Sequence, residues 1–367
     1  MPRVIGIDPG TISVDLCGLD NGRVFLDTAL PTPDTLADPE AFIARLEAAG
    51  PVDLIAGPSG YGLPCIRAGS LTETDLRLAC LAVPGESGGI RGLLTLLRAL
   101  ARSRLPVVLT PGVIHLDSVP AYRKINRVDM GTADKVCAAA LAIREQAERR
   151  GCSIAETAFI LLELGGAFSA AIAVEGGRIV DGMGGSSGPI GLRAPGALDG
   201  EVAFLAGRVS KSMIFEGGAA AVAGEHEPEA LARSTTARAH DSWDAYLEGA
   251  AKAVASLRVS APGAVEVILS GRASRLPGVR ERLARLIARG PSAMSVEFLA
   301  GFAATAQAAQ GAALVADGLA GGLAAELVES LGIREARGTV LDHLHVVSRE
   351  QANARLGIAP GMAPGVA

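Results

Sequence analysis

The residues best equipped for chemistry stand at three glycine-containing turns. In the first, Asp8-Pro9-Gly10-Thr11 follows an apolar run that starts at Val4, and Ser13 comes two residues later. A tight turn presents backbone N–H groups on its concave side. Gly10 lets an anion approach closely, and the Thr11 and Ser13 hydroxyls add donors. That is the equipment for holding a phosphate. Asp8 would repel a phosphate directly, but it can hold a hydrated Mg2+ that in turn holds the phosphate. The competing reading is an ordinary turn capped by Asp8.

The second turn repeats the first. Glu163 sits inside the apolar run "FILLEL", and Gly165-Gly166 follows it. An acid in such a run is costly unless it is paired or near a metal, so Glu163 is a second candidate for Mg2+ through water. Two acid-then-glycine turns could grip one polyphosphate from two sides. The third turn is Ser270-Gly271-Arg272, in "ILSGRASRLPGV". A glycine turn after a buried strand leaves a flat surface for a base and ribose, and Arg272 can stack on the base or reach a phosphate.

Two further segments could hold a second ligand, which would be the acceptor if a bound polyphosphate gives up a phosphoryl group. "GPSGYG" offers Ser59, Gly60 and Tyr61 on a loop able to close. "YRKINRVDMGTADK" concentrates Arg123, Lys124 and Arg127, then Asp129 and Asp134. Such a basic cluster can clamp a carboxylate or phosphate. Its bland alternative is a solvated loop, with Thr132 as N-cap and Asp134 set against the helix dipole. A carboxylate acceptor is already a nucleophile and needs only cationic positioning. A hydroxyl acceptor gains from a base, for which Asp134 or Asp129 is the candidate. His343 and His345 share one face of an expected strand, but two ligands without a third are weak evidence for metal. His115, close to Asp117, has no assignable side.

These side chains need elements to carry them. Val4 to Asp27 reads as strand, turn, strand, Asn21-Gly22 turn, strand, and Thr157 to Gly182 repeats that grammar with Gly176-Gly177. Val265 to Leu269 reads as a buried strand leading through a glycine turn into an amphipathic helix. Helices are expected over Asp38 to Ala49, Ile90 to Ser103, Thr132 to Arg150 and, as one or two pieces, Glu227 to Leu257. A strand is expected over Val52 to Gly57. Alternation of this kind implies an α/β fold with helix-covered sheets. The uncharged stretch Phe298 to Ala316 is dominated by Ala and Gly and carries Gln307 and Gln310, which suits a buried helix rather than a membrane span. The Pro/Gly/Ala tail from Ile358 is expected to be disordered.

The chain has 367 residues, more than one ordinary core holds, so two domains are expected, 1–150 and 151–367. A net charge of −5 argues against a duplex nucleic-acid partner, which needs a basic face. Five scattered cysteines without a CxxC read as buried small hydrophobes in a reducing compartment. With no leader pattern at Met1-Pro2-Arg3, a cytoplasmic location is expected.

The order of the three turns resembles the actin, sugar-kinase, Hsp70 and acetate-kinase superfamily. The two hairpin turns look like its phosphate elements, and "ILSGRASRLPGV" looks like its adenosine element. Helices Thr132 to Ala147 and Ala303 to Ala316 match its two interdomain connections. More narrowly, "GIDPGTISVDLCGLDNG", "GPSGYG" and "YRKINRVDMGTADK" are similar to a prokaryotic family labelled predicted butyrate kinase. The resemblance spans Arg3 to Leu319. It implies two RNase H-like domains facing each other across a nucleotide cleft, with ATP and Mg2+ as cofactors and a small-molecule acceptor. A homodimer is compatible with it. One departure is Glu163, where the superfamily usually has the shorter Asp. Other readings are a non-catalytic ATP-binding switch and an RNase H-like nuclease, since "GIDPGT" also opens Holliday-junction resolvases. An acidic chain with a nucleotide-type third turn speaks against the nuclease. A radical-enzyme activator would want cysteines placed for an iron–sulfur cluster, which these are not.

Overall fold

A computed structural model describes residues 2–85, 91–290 and 294–359. Two mixed sheets carry the architecture. The first contains β1 (Arg3–Pro9), β2 (Ser13–Asp20), β3 (Arg23–Pro31), β4 (Leu54–Pro58), β5 (Ile66–Arg67) and β6 (Val107–Thr110), in the order β3-β2-β1-β4-β6-β5. The second contains β7 (Ala158–Leu164), β8 (Ser169–Glu175), β9 (Arg178–Met183), β10 (Glu266–Ser270) and β11 (Ser295–Phe298), in the order β11-β10-β7-β8-β9. Each opens with a three-stranded antiparallel meander and continues with parallel strands beside its first strand. The internal echo in the sequence is therefore an echo in topology. The physical cause is local. Asn21 and Gly22 both adopt left-handed backbone, as do Gly176 and Gly177, and those conformations close tight hairpins.

The repeat also places the acids alike. Asp8 is the next-to-last residue of β1, and Glu163 is the next-to-last residue of β7. In the parallel register of β7 and β10, Glu163 stands beside Ser270. One sheet edge thus gathers the second and third turns.

Helices fall close to the expected ranges: Pro39–Ala48, with Asp38 accepting from the Ala41 N–H, then Arg91–Arg102, Ala133–Arg150, Pro228–Arg233, Ala237–Leu257 and Val279–Ile287. The expected start at Ile90, and the expected tail from Pro360 on, lie outside the described residues. The uncharged stretch from Phe298 is not one helix. Phe298 ends β11, residues 299–306 form a strap, and the helix runs Gln307–Leu319. No helix among the described residues is long and apolar enough to cross a membrane. His343 and His345 lie in turns and not in a strand. There the Asn126 side-chain oxygen accepts from the His345 and Val346 N–H groups, which removes the donors a ladder would use.

The Gln307–Leu319 helix packs on β1, β2 and β4 and crosses the Ala133–Arg150 helix. The approach is backbone to backbone. A Cβ on Gly6 would overlap the Ala313 nitrogen, and one on Gly311 would overlap the Cys137 carbonyl oxygen. Leu314, Val315, Leu331, Val340 and Leu356 join Val4, Ile7 and Leu16 in one core, while Ile160, Leu162, Trp243, Tyr246 and Leu283 belong to another. Arg77 Nη1 donates to the carbonyls of Leu356 and Gly357, at 2.9 and 2.6 Å. The chain after residue 306 therefore returns to the first sheet. A helix from the 151–367 half thus covers β1 of the other.

Candidate active site

The ends of β1, β7 and β10 open into a cavity of about 670 Å³, within the size range of small-molecule sites. All three glycine turns line it. Gly10, Thr11 and Ser13 come from the first hairpin, Gly165 and Gly166 from the second, and Ser270, Gly271 and Arg272 from the third turn. The two hairpins face each other, since a Cβ built on Gly166 would lie 3.7 Å from Thr11 Oγ1 and 3.9 Å from Ile12 Cδ1. The third turn is packed onto the second. Gly271 takes φ +81°, and a Cβ there would overlap the Leu164 carbonyl and lie 3.0 Å from the Gly165 nitrogen.

Four charged groups meet at the bottom of the cavity. Lys135 Nζ is 2.7 Å from Glu163 Oε1 and also pairs with Asp134. Burial works against the Lys135 charge, yet Asp134 and Glu163 hold its proton more firmly than usual. Burial also works against Asp134, but Lys135 and the Thr132 hydroxyl hold it below the usual carboxylate range. Glu163 is pushed up by burial and by Asp134, against Lys135. Asp8 is pushed well up by burial and then by Asp134, with Glu163 and Asp15 adding to the effect. Asp8 has no hydrogen-bond donor of its own among the described residues. Three carboxylates against one ammonium leave a surplus of negative charge at Asp8. Hard oxygen donors with surplus charge suit Mg2+, which keeps most of its water and takes one or two carboxylates. No cluster of three His, Cys, Asp or Glu able to cage a metal occurs among the described residues. Glu163, the second residue expected there, is engaged by Lys135 instead.

Lys135 and Asp15 are the residues the sequence reading passed over. Asp15 lies opposite Asp8 in the β1–β2 register and is buried. Its Oδ2 accepts the Ser13 hydroxyl at 2.6 Å, and its Oδ1 accepts the Ala306 N–H at 3.0 Å. Ser13 was expected to donate toward a ligand, but its proton is committed to Asp15. The available signal for Lys135 was the need of Glu163 for a cation, with a lysine next to Asp134 in the following helix.

The acceptor candidates separate. Gly60 and Tyr61 line the cavity. Ser59 is fully buried, donating to the Thr110 carbonyl at 2.7 Å and accepting from the Leu63 N–H at 3.0 Å, so it braces the loop rather than facing the cavity. The basic cluster is not at the cavity. Arg123 Nη1 donates to the Val180 carbonyl at 2.7 Å, Lys124 Nζ is buried on the Leu116 carbonyl at 2.9 Å, and Arg127 is exposed. Asp129 lines the cavity, but its oxygens accept from the Gly131 N–H and from the N–H and hydroxyl of Ser186. His115 is buried behind the Gly60–Gly62 turn, where a Cβ on Gly62 would lie 2.5 Å from its Nε2.

Part of the cavity lining is apolar. Tyr61, Leu93, Phe168 and Phe215 line it, with the two phenylalanine rings edge to face at 5.0 Å. Lys211 Nζ stands 5.0 Å from the Tyr61 ring centroid. The cysteines are all unpaired, and burial pushes the thiols of Cys17, Cys80 and Cys137 up to about 12, which leaves them unreactive.

Residues 6–346 match a family model described as "Protein of unknown function (DUF1464)". The chain belongs to this family. No curated protein matches the DUF1464 chain by sequence. Solved structures do match it in fold. An acetate kinase from Porphyromonas gingivalis aligns with a TM-score of 0.59 at 14% identity, covering 85% of this chain and 98% of that one. A propionate kinase from Francisella tularensis subsp. tularensis SCHU S4 aligns at 0.62 and 13% identity, with the same coverage. An acetate kinase from Entamoeba histolytica aligns at 0.55 and 11% identity, covering 81% and 95%. The DUF1464 chain therefore shares the two-sheet fold of these acetate and propionate kinases.

Proposed function

We propose that this protein is an ATP-dependent kinase that phosphorylates a short-chain carboxylate. One observation carries the reading: two hairpin turns, each preceded by an acid at a strand end, oppose each other across a single cavity. The N–H groups of Gly10 and Gly165 close their own turns on the Asp8 and Phe168 carbonyls, at 3.1 and 2.9 Å, so those of Thr11 and Gly166 would meet the phosphates. Ser270, Gly271 and Arg272 would border the adenosine. Asp8 would hold Mg2+ through water. Bound there, the metal would neutralise charge on the phosphates during transfer. Lys135 favours the ionised form of Asp134 and pairs with Glu163, fixing both at the floor of the site.

The carboxylate acceptor is favoured on chemical grounds. Asp134 and Asp129, the acids that would serve a hydroxyl acceptor as base, are both held by donors, and Asp134 binds a proton less readily than usual. A carboxylate needs no base. The apolar side chains of Leu93, Phe168 and Phe215 in the lining suit a short aliphatic chain, and Lys211 is a cation beside Tyr61. This is consistent with the butyrate-kinase resemblance and with acetate and propionate kinases among the fold neighbours.

The test is ADP release from MgATP with a panel of short-chain fatty acids, alcohols and sugars, with hydroxylamine present to trap an acyl phosphate as the hydroxamate. Stimulation by a fatty acid together with hydroxamate is the expected result. Stimulation by hydroxyl compounds alone refutes the carboxylate acceptor. Nucleotide binding with no stimulation by any acceptor favours a switch protein.

A further inference from the structure

From Arg272 to Arg289 the chain has six arginines and one acid, Glu281, in a protein of net charge −5. Three of the six have a place already. Arg272 and Arg275 line the cleft cavity, and Arg280 donates to the Val296 carbonyl at 2.8 Å and to Glu297 at 3.4 Å. The other three, Arg282, Arg285 and Arg289, follow at helical spacing along the Val279–Ile287 helix and just past its end. Val279, Leu283 and Ile287 of that helix are buried in the second core, which turns the three arginines outward.

These three arginines share a recess. With Leu286, and with Asp244 and Glu248 of the Ala237–Leu257 helix, they line a second cavity of about 220 Å³. None of these residues lines the cleft. Both acids of the recess are already answered. Asp244 pairs with Arg282, and Glu248 Oε1 lies 2.7 Å from Lys252 Nζ. Lys252 holds the Glu248 carboxyl below the usual range, and Arg289 adds to the effect. Arg285, Arg289 and Glu281 make no ion pair among the described residues. Four cations therefore stand against two carboxylates, and the excess is two guanidinium charges directed at one small space.

We propose that this recess binds a phosphate group, as inorganic phosphate or as a phosphate monoester, at a site separate from the cleft. The proposal is independent of the kinase reading. Guanidinium groups present forked N–H donors that match the oxygens of a tetrahedral oxyanion. A phosphate group carries about −1.5 to −2 at pH 7, which answers both unpaired arginines. A monocarboxylate would leave one of them unanswered. The recess also falls below the roughly 300 Å³ at which sites for larger organic ligands begin, so the phosphate itself is the part it encloses.

Calorimetric titration of the full chain with inorganic phosphate tests it, with and without MgADP and at an ionic strength held constant with NaCl. Saturable binding that MgADP does not displace is expected. Arg285→Gln combined with Arg289→Gln should weaken it about tenfold or more. Both side chains are exposed, so the substitutions leave the core untouched, and circular dichroism confirms the fold. Glycerol 3-phosphate in the same titration separates the two sources: tighter binding than phosphate assigns an ester, and weaker binding assigns the free ion. The absence of saturable binding overturns the proposal. So does an affinity that the double substitution leaves unchanged in a folded protein, and so does complete displacement by MgADP, which would put the phosphate in the cleft.

Discussion

Lys135 Nζ lies 2.7 Å from Glu163 Oε1, joining the first turn of the Ala133–Arg150 helix to the end of β7. The contact ties that helix to the second sheet at the floor of the cavity, and the same ammonium answers Asp134. Removing it strands two carboxylates beside a third. Lys135→Met is expected to lower unfolding free energy by about 3 kcal/mol, the cost of breaking a buried pair from one side. Adding Glu163→Gln should return part of that loss. Urea titration of the single and double variants measures both.

Asp8 behaves in the opposite sense. Its proton is held more tightly in the folded chain than in the unfolded one, because of burial and then Asp134. Across the pH range between an ordinary carboxylate and Asp8, the folded state binds more protons, so stability falls as pH rises. Asp8→Asn should remove that fall and raise the melting temperature at neutral pH without ligand. It should also abolish any stabilisation by MgATP beyond that by ATP alone, and lower turnover about 100-fold or more. A variant less stable than the parent at pH 7 would contradict the charge balance described for the site.

His115 gives an acid limb. Burial pushes its imidazole down to about 4, while hydrogen bonds to neighbouring backbone carbonyls oppose the shift. The unfolded chain then binds the extra proton more readily. Stability is whole above about pH 6.5 and is lost as pH falls toward 4, by up to about 3 kcal/mol. His115→Gln should flatten this limb in a melting series from pH 7 to pH 4, leaving the limb due to Asp8 in place.

Gly311 allows the two long helices to touch through their backbones. Gly311→Ala would set a methyl against the Cys137 carbonyl and is expected to cost about 1–3 kcal/mol. Gly69→Ala is the matched control, since nothing lies within 4 Å of a Cβ there. Thermal denaturation of the two variants side by side checks the contrast.

Much of this arrangement was legible in the residues. Asn21-Gly22 and Gly176-Gly177 announce the hairpins because few other residues tolerate the backbone they adopt. An acid next to the end of an apolar strand, followed by glycine, marked both of the hairpin turns that line the cavity. The misreadings share one cause: which way a side chain points depends on tertiary approach. Arg123 and Lys124 are adjacent and basic, yet one caps a β9 carbonyl and the other a carbonyl at Leu116. Ser59 looked like a loop hydroxyl and is a brace between β4 and β6. Ser13 looked like a donor until Asp15, two residues on and on the same face of β2, claimed its proton. The strands β5 and β11, of two and four residues, are too short to show a period.

The position of the Gln307–Leu319 helix bears on how the molecule is made. Its partners β1, β2 and β4 leave the ribosome among the first sixty residues, but the helix that covers them is translated some 250 residues later. Through most of synthesis, that face of the nascent sheet lacks its cover. Folding of the first half must await nearly the whole message, and a chain cut short before residue 307 would present the bare apolar surface of β1 to chaperones and proteases.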